Sequence, residues 1–422
     1  ILVCDALEDR ACQTTILSGF AKRAWRRPPT TEEVERLVGT VALATGQGDS
    51  AETGLRLALQ QVLVSPHFVF RVEVDPDPTS IKPHPLTSWE LATRLSYFLW
   101  SSMPDDALFA AAESGALTSD PGELERQTRR MLEDPRAVAL TDNFAGQWLF
   151  TRALGDQDPD YELYPDYDSE LEAAMRAETR RYFQAFLMED IPMDQFLVAD
   201  FTYVNDRLAT HYGLPAVSSP TELVRVSLAG TERRGFLTQG SFLRVTSRPK
   251  RTSPVLRGKW VLDNLLCTPP RPPPPGVEGL PEEAMSTGSV RDRLEAHRSN
   301  PICASCHRVM DPLGFGLDNF DAIGAYRTTD SGFAIDASGQ LGDGLAFNGP
   351  IEMTQLLAAN PGVYRCMVEK LYTYTGRSPF RIEATEHIDS LTERFVSGGY
   401  VLRELVVDLT TDASFISRRG EP

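Results

Sequence analysis

The sequence predicts a mainly α protein: a helical N-terminal array followed by a mostly helical C-terminal part with a few short strands. Three observations carry that reading. Apolar residues recur at helical spacing through the first half of the chain. Hydroxyl and carboxylate caps, with prolines as stops, punctuate those stripes. Strand-like alternation is confined to short stretches beyond about residue 215.

The elements follow in order. Ile16, Phe20 and Ala24 lie on one helical face, and Arg26-Arg27-Pro28-Pro29 ends that helix. Thr30 with Glu33 is a capping box that opens the next one. Leu55, Leu59, Val62 and Leu63 form a further stripe, stopped by Ser65-Pro66. Thr87 and Glu90 cap a helix whose inner face is Leu91, Leu95, Phe98 and Leu99. From Pro121 to Phe150, residues Met131, Leu132, Leu140, Phe144 and Trp148 point inward. Asp168 caps a long helix through Leu187 that carries Leu171, Met175, Tyr182 and Phe186. Leu223-Val224-Arg225-Val226 then alternates like a strand. The proline run 269–275 favours a stiff strap or spacer, and Pro281 to Ser289 is polar. A Gly- and Asp-rich stretch, 331–349, precedes two final helical patterns.

The chain has 422 residues, which suggests two to four domains, and its 41% hydrophobic and 24% charged residues can bury substantial cores. The net charge of −17 argues against nucleic acid, because no basic excess exists to neutralise phosphates. The same charge suits a basic redox partner. No stretch approaches the roughly 18 apolar residues of a membrane span. The polar run Cys4 to Arg10 follows Ile1 at once, so a mature or trimmed form of an exported protein is expected.

Residues 303–307 read Cys-Ala-Ser-Cys-His, the attachment signature of c-type haem. Two thiols one helical turn apart can both add to one porphyrin edge, and the next residue then offers an imidazole to the iron. Cys303 and Cys306 are therefore the expected thioether positions and His307 the expected proximal ligand. A zinc half-site would need a second half-site, and a thioredoxin-like pair would need a βαβ context; neither is present in the sequence. The C-terminal part is accordingly expected to be a cytochrome c-like haem domain. Because such attachment follows export, a periplasmic, extracellular or cell-surface location is expected.

For the sixth iron position His297 is the first candidate, with Met353 and Met367 behind it and an open position as the alternative. Met310, three residues past His307, is expected to pack against the ring. Arg327, Arg257, Lys259 and Arg251 are candidate partners of the haem propionates. The four remaining cysteines make two disulfides the natural expectation, Cys4 with Cys12 and Cys267 with Cys366. Calcium is a weak expectation at Asp156, Asp158, Asp160, Glu162, Asp166 and Asp168, or at Asp330, Asp336 and Asp343; both runs lack the EF-hand pattern. No hydrolase or nucleotide motif appears.

Five segments carry a family resemblance: DFTYVNDRLATHYG (200–213), RTSPVLRGKW (251–260), CASCHRVMDPLGF (303–315), LDNFD (317–321) and YTGR (374–377). They resemble the large secreted bacterial proteins, frequent in planctomycetes and myxobacteria, built from modules of unknown function around one c-type haem motif. The resemblance spans nearly the whole chain. It implies a His at the position of His297, a variable apolar residue at Met310, and further modules upstream in longer members. It implies no activity. The expected organisation is a helical module over 1–80, a second over 81–215, a strap and haem-attachment module over 216–330, and a helical module over 331–422 that completes the haem domain. Electron transfer is the leading expectation. The alternatives are a haem oxidase, oxygenase or peroxidase with an open iron position, and a structural subunit of a larger extracellular redox assembly.

Overall fold

The computed structural model describes residues 2–271, 288–298, 301–342, 344–376 and 382–419, with backbone alone at 297, 301, 302, 382 and 383. The chain is mainly α, with short antiparallel strand pairs. It divides into two compact units: residues 1–137 with 409–422, and residues 138–408. Among the described residues no helix is long and apolar enough to cross a membrane.

The first unit is helical. Helix α1, Arg10–Trp25, ends where Arg26 turns left-handed (φ 58°) ahead of the two prolines. Helix α2, Thr31–Gly46, carries the Thr30/Glu33 capping box, and α3, Ala51–Leu63, packs against it at Gly54, whose added Cβ would lie 2.9 Å from Val41 Cα. The stripe of α3 is narrower than its spacing suggests. Leu55 and Val62 are buried, Leu59 is half-buried, and Leu63 faces solvent at the last turn. Helix α4, Ser88–Trp100, carries the second capping box and buries Leu91, Leu95, Phe98 and Leu99. The Cys4–Cys12 disulfide closes the N-terminal segment onto α1. Pro83–Pro85 pairs antiparallel with Ser417–Arg419.

The second unit is organised on helix α5, Ser169–Met188, capped by the Asp168 carboxylate and buried along Leu171, Met175, Tyr182 and Phe186. Strands β1, Phe201–Val204, and β2, Val224–Ser227, form an antiparallel pair. Helix α6, Pro254–Asn264, follows, joined to α5 by stacked and tilted rings. Phe196 lies 5.5 Å from Phe236, Phe236 5.6 Å from Trp260, and Phe242 4.8 Å from Trp260. Edge-to-face and offset arrangements of this kind favour one packing over its rivals. Helices α7, Val290–His297, and α8, Pro301–Phe315, come next, then the strand pair Ser338–Gln340 and Ala346–Asn348 in the glycine-rich stretch. Helices α9, Gly349–Ala358, α10, Pro361–Tyr374, and α11, Ile382–Ser397, complete the unit.

Two glycines fix the position of α8. An added Cβ at Gly258 would lie 1.8 Å from the Met310 carbonyl oxygen, and one at Gly314 would lie 1.9 Å from that of Pro254. Helices α6 and α8 therefore run antiparallel with their backbones touching, a separation that any side chain would forbid. Pro254 faces Gly314 and Gly258 faces Met310, so α6 runs from the end of α8 back in the direction of the cysteine turn.

Candidate functional site

Helix α8 begins at Pro301, a residue suited to a first helical turn because its missing N–H would be unsatisfied there. Cys303 and Cys306 stand three residues apart, on neighbouring positions of one helix face, with His307 one turn beyond Cys303. All three side chains are half-buried. Past them the helix turns inward: Met310 is buried and Asp311 has no exposed surface.

Among the described residues the six cysteines divide cleanly. Cys4–Cys12 and Cys267–Cys366 are disulfides, as expected, and Cys303 and Cys306 are free thiols. The Cys267–Cys366 bond ties the chain just before the proline run to α10. Four residues later, the Arg271 carbonyl lies 3.6 Å from Cys306 Sγ, so the start of the strap passes beside the cysteine turn. Residues 272–287, with the rest of the proline run and the polar segment after it, lie outside the described residues.

His307 Nδ1 lies 2.9 Å from Asp311 Oδ1. A carboxylate only accepts, so Nδ1–H is the donor, and in the neutral ring the lone pair then sits on Nε2, the nitrogen a metal would take. Among the described residues the second oxygen, Asp311 Oδ2, has no hydrogen-bond partner, and Arg298 Nε stands 3.8 Å from it. Arg298 sits at the C-terminal end of α7 and also pairs with Glu295 at 3.2 Å. The sequence reading missed both residues. Asp311 carried a legible signal, four residues after a histidine on a predicted helix, the spacing that brings side chains together. Arg298 carried none, since its approach depends on how α7 packs on α8.

The remaining predicted residues are distributed as follows. Arg257 is fully buried and donates to the carbonyls of Leu317 (2.6 Å), Phe320 (2.8 Å) and Asp321 (2.8 Å) and to Ser247 Oγ (3.2 Å). Burial drives it down to about 10, against the pull of Asp318. Arg327 lies nearby, donating to Asp330 Oδ1 (2.6 Å) and to Thr252 Oγ1 (3.2 Å), and stands 3.5 Å from Asp318. Burial pushes the Asp318 carboxyl up, and Arg327 and Arg257 oppose that shift. These two arginines thus meet around the 317–321 turn, engaged by protein groups. Lys259 forms an ion pair with Asp263 on α6, and Arg251 donates to the Thr252 carbonyl at 3.3 Å. Met353 is buried on α9, where an added Cβ at Gly316 would lie 2.7 Å from its sulfur, and Met367 is buried on α10. The side chain of His297, and Asp343 and Arg377, lie outside the described residues.

Among the described residues no three His, Cys, Asp or Glu side chains stand together as a metal cluster. The two acidic stretches have structural uses: Asp160 accepts from the backbone N–H of Glu162, Asp168 caps α5, and Asp336 accepts from that of Ser338. The donor set of α8 does fit a covalently held haem. It offers two unpaired thiols at one-turn spacing, then an imidazole whose Nδ1 side is anchored by a buried carboxylate, the second-sphere arrangement typical of metal-ligating histidines.

Four family models match the chain in succession, each described as a protein of unknown function: DUF1595 over residues 12–73, DUF1592 over 86–214, DUF1588 over 233–330 and DUF1585 over 343–415. The cysteine turn, His307 and Asp311 fall within the third, whose model is called PSCyt3. Together the four are a set of cytochrome-like domains of unknown function, and they support the multi-module family that the motifs resemble. No curated protein and no solved structure matches the chain.

Proposed function

We propose that this chain is an exported c-type cytochrome that carries one covalent haem on α8 and transfers single electrons. Its supporting observation is the division of the cysteines, which leaves only Cys303 and Cys306 as free thiols, directly before a histidine anchored by a buried carboxylate. Cys303 and Cys306 would form the two thioethers, and His307 Nε2 would bind the iron. Bound haem supplies a reversible one-electron change at iron. Asp311 orients the imidazole, and the Arg271 carbonyl lies beside Cys306. His297, Met353 and Met367 are the candidates for the far side of the iron. Attachment of this kind is completed outside the cytoplasm, which agrees with two disulfides elsewhere in the chain. A net charge of −17 favours a basic redox partner.

The test is expression with a c-type haem maturation system, followed by intact mass and a reduced visible spectrum. One haem mass per chain and a Soret band are expected, with both thioether bonds lost in a Cys303→Ala, Cys306→Ala double variant. A bare polypeptide mass without a Soret band overturns the proposal. Carbon monoxide added to the reduced protein separates the leading role from its rival. A spectrum that does not move supports electron transfer, and one that shifts at once assigns an open iron position and a haem enzyme.

A further inference from the structure

From the contact between His307 and Asp311 we infer that Asp311 is the positioning residue that sets the iron's reduction potential, holding it low by giving the proximal imidazole anionic character. The inference rests on the proposed haem attachment at this helix and goes beyond it by assigning a control element.

Geometry comes first. The Nδ1–Oδ1 distance of 2.9 Å is that of a hydrogen bond, and the i, i+4 spacing on α8 makes it a property of the helix itself. Asp311 has no exposed surface and His307 is half-buried, so little water competes for the bond. A hydrogen bond accepted by a buried carboxylate is stronger than one to a neutral carbonyl. It fixes the tautomer with Nε2 toward a metal and raises the basicity of that nitrogen.

The charge environment points the same way. Among the described residues Asp311 Oδ2 has no hydrogen-bond partner, and Arg298 stands 3.8 Å away, beyond hydrogen-bond reach, with its other side taken by Glu295. Among the described residues the carboxylate's charge is therefore only loosely compensated, and the His307 N–H is its one hydrogen-bonded contact. Electron density pushed through the imidazole stabilises the more positive oxidation state of the iron, which lowers the potential. An unpaired carboxylate oxygen at a fully buried position is costly for folding alone; a ligand-tuning role accounts for its presence here.

The test uses the haem-loaded full chain. Asp311→Asn keeps an oxygen that can accept from Nδ1 but removes the charge, and its potential is expected to rise. A shift of at least tenfold in the oxidation equilibrium is expected, about 59 mV for a one-electron couple. Arg298→Gln removes the weak compensating cation and is expected to move the potential the other way. If the sixth position is open, the iron–histidine stretching frequency of the reduced protein should fall in Asp311→Asn. A haem-loaded Asp311→Asn protein whose potential equals that of the parent overturns the inference. Failure of the parent chain to take up haem overturns the proposed function instead, so the two outcomes cannot be confused.

Discussion

Replacing Gly258 by Ala should be among the most damaging single-methyl additions to this protein, and the reason is visible in one distance. The new Cβ would sit 1.8 Å from the Met310 carbonyl oxygen, whereas ordinary van der Waals contact begins at 3.4 Å. Helices α6 and α8 must therefore separate locally by about 1.6 Å, the difference of those two distances. The obstacle is backbone, so no rotamer change relieves it. Overpacking of a tight core costs about 1–3 kcal/mol, and a rigid helix crossing belongs at the upper end. At about 2–4 °C per kcal/mol for a domain of this size, the expected loss in Tm is about 6–12 °C. Gly19→Ala on α1 is the matched control, since an added Cβ there meets nothing within 4 Å. It should stabilise its helix by up to about 1 kcal/mol through propensity alone. Differential scanning calorimetry of both variants decides the matter. A Gly258→Ala transition within a degree of the parent would refute the backbone-contact argument, whatever Gly19→Ala does.

Two further outcomes follow from other parts of the structure. Loss of the Cys267–Cys366 bond in a Cys267→Ser, Cys366→Ser variant removes a crosslink spanning 99 residues, whereas Cys4–Cys12 spans 8. Loop-closure entropy predicts destabilisation of about 4.7 kcal/mol for the first and about 2.5 kcal/mol for the second, so urea midpoints should fall further for the long-range variant, and the reverse order would contradict this. Glu178 is fully buried, accepting hydrogen bonds from Thr202 Oγ1 (2.5 Å) and Tyr212 OH (2.6 Å), and burial pushes it up from 4.5 to about 7. A folded value above the unfolded one contributes stability at low pH, and that contribution is lost as pH rises from about 4.5 through about 7. Glu178→Gln, which mimics the protonated form, should match the parent at pH 4 and exceed it by up to about 3 kcal/mol at pH 8. Equal urea stabilities of the two proteins across that range would rule out the raised value.

How much of this was legible in the sequence depended on the range of the interaction involved. Capping boxes at Thr30/Glu33 and Thr87/Glu90 use residues three apart, and both formed as read. The helical stripes of α4 and α5 were read correctly because burial repeats with the backbone period. At the end of α3 the same logic failed at Leu63, which faces solvent on the last turn of the helix. The alternation at 223–226 marked one strand of a pair, but its partner Phe201–Val204 is buried on both faces and has no polar alternation to reveal it. The number of disulfides followed from counting, once two cysteines were set aside for the haem signature, and the short loop from Cys4 to Cys12 favoured the one of three pairings that formed. Gly258 and Gly314 lay within recognisable motifs, yet the sequence alone does not say which backbone each one touches. Arg257 was read as a candidate propionate partner, and its actual surroundings, the carbonyls of a turn 60 residues onward, were beyond any local pattern.

Much of the second unit bears on how α8 is held. Its first two turns present half-buried Cys303, Cys306 and His307, while its last two are clamped from three directions. Helix α6 meets it backbone to backbone at Gly258 and Gly314. From α7, Arg291 lays its guanidinium over the Phe315 ring at 4.1 Å and reaches the Asp336 carbonyl at 2.9 Å. The strand pair closes on the third side, where an added Cβ at Gly339 would lie 2.6 Å from the Pro312 carbonyl oxygen. Pro312 itself lies within the helix, so the Arg308 carbonyl loses its usual partner one residue after Asp311. A helix weakened at that point would let the His307–Asp311 bond wander unless its far end were fixed, and the three clamps all act at or beyond Met310. Precision at a ligand comes from residues that are themselves locked by packing. On the proposed reading, the bulk of the second unit serves to hold one imidazole and one carboxylate in a fixed relation.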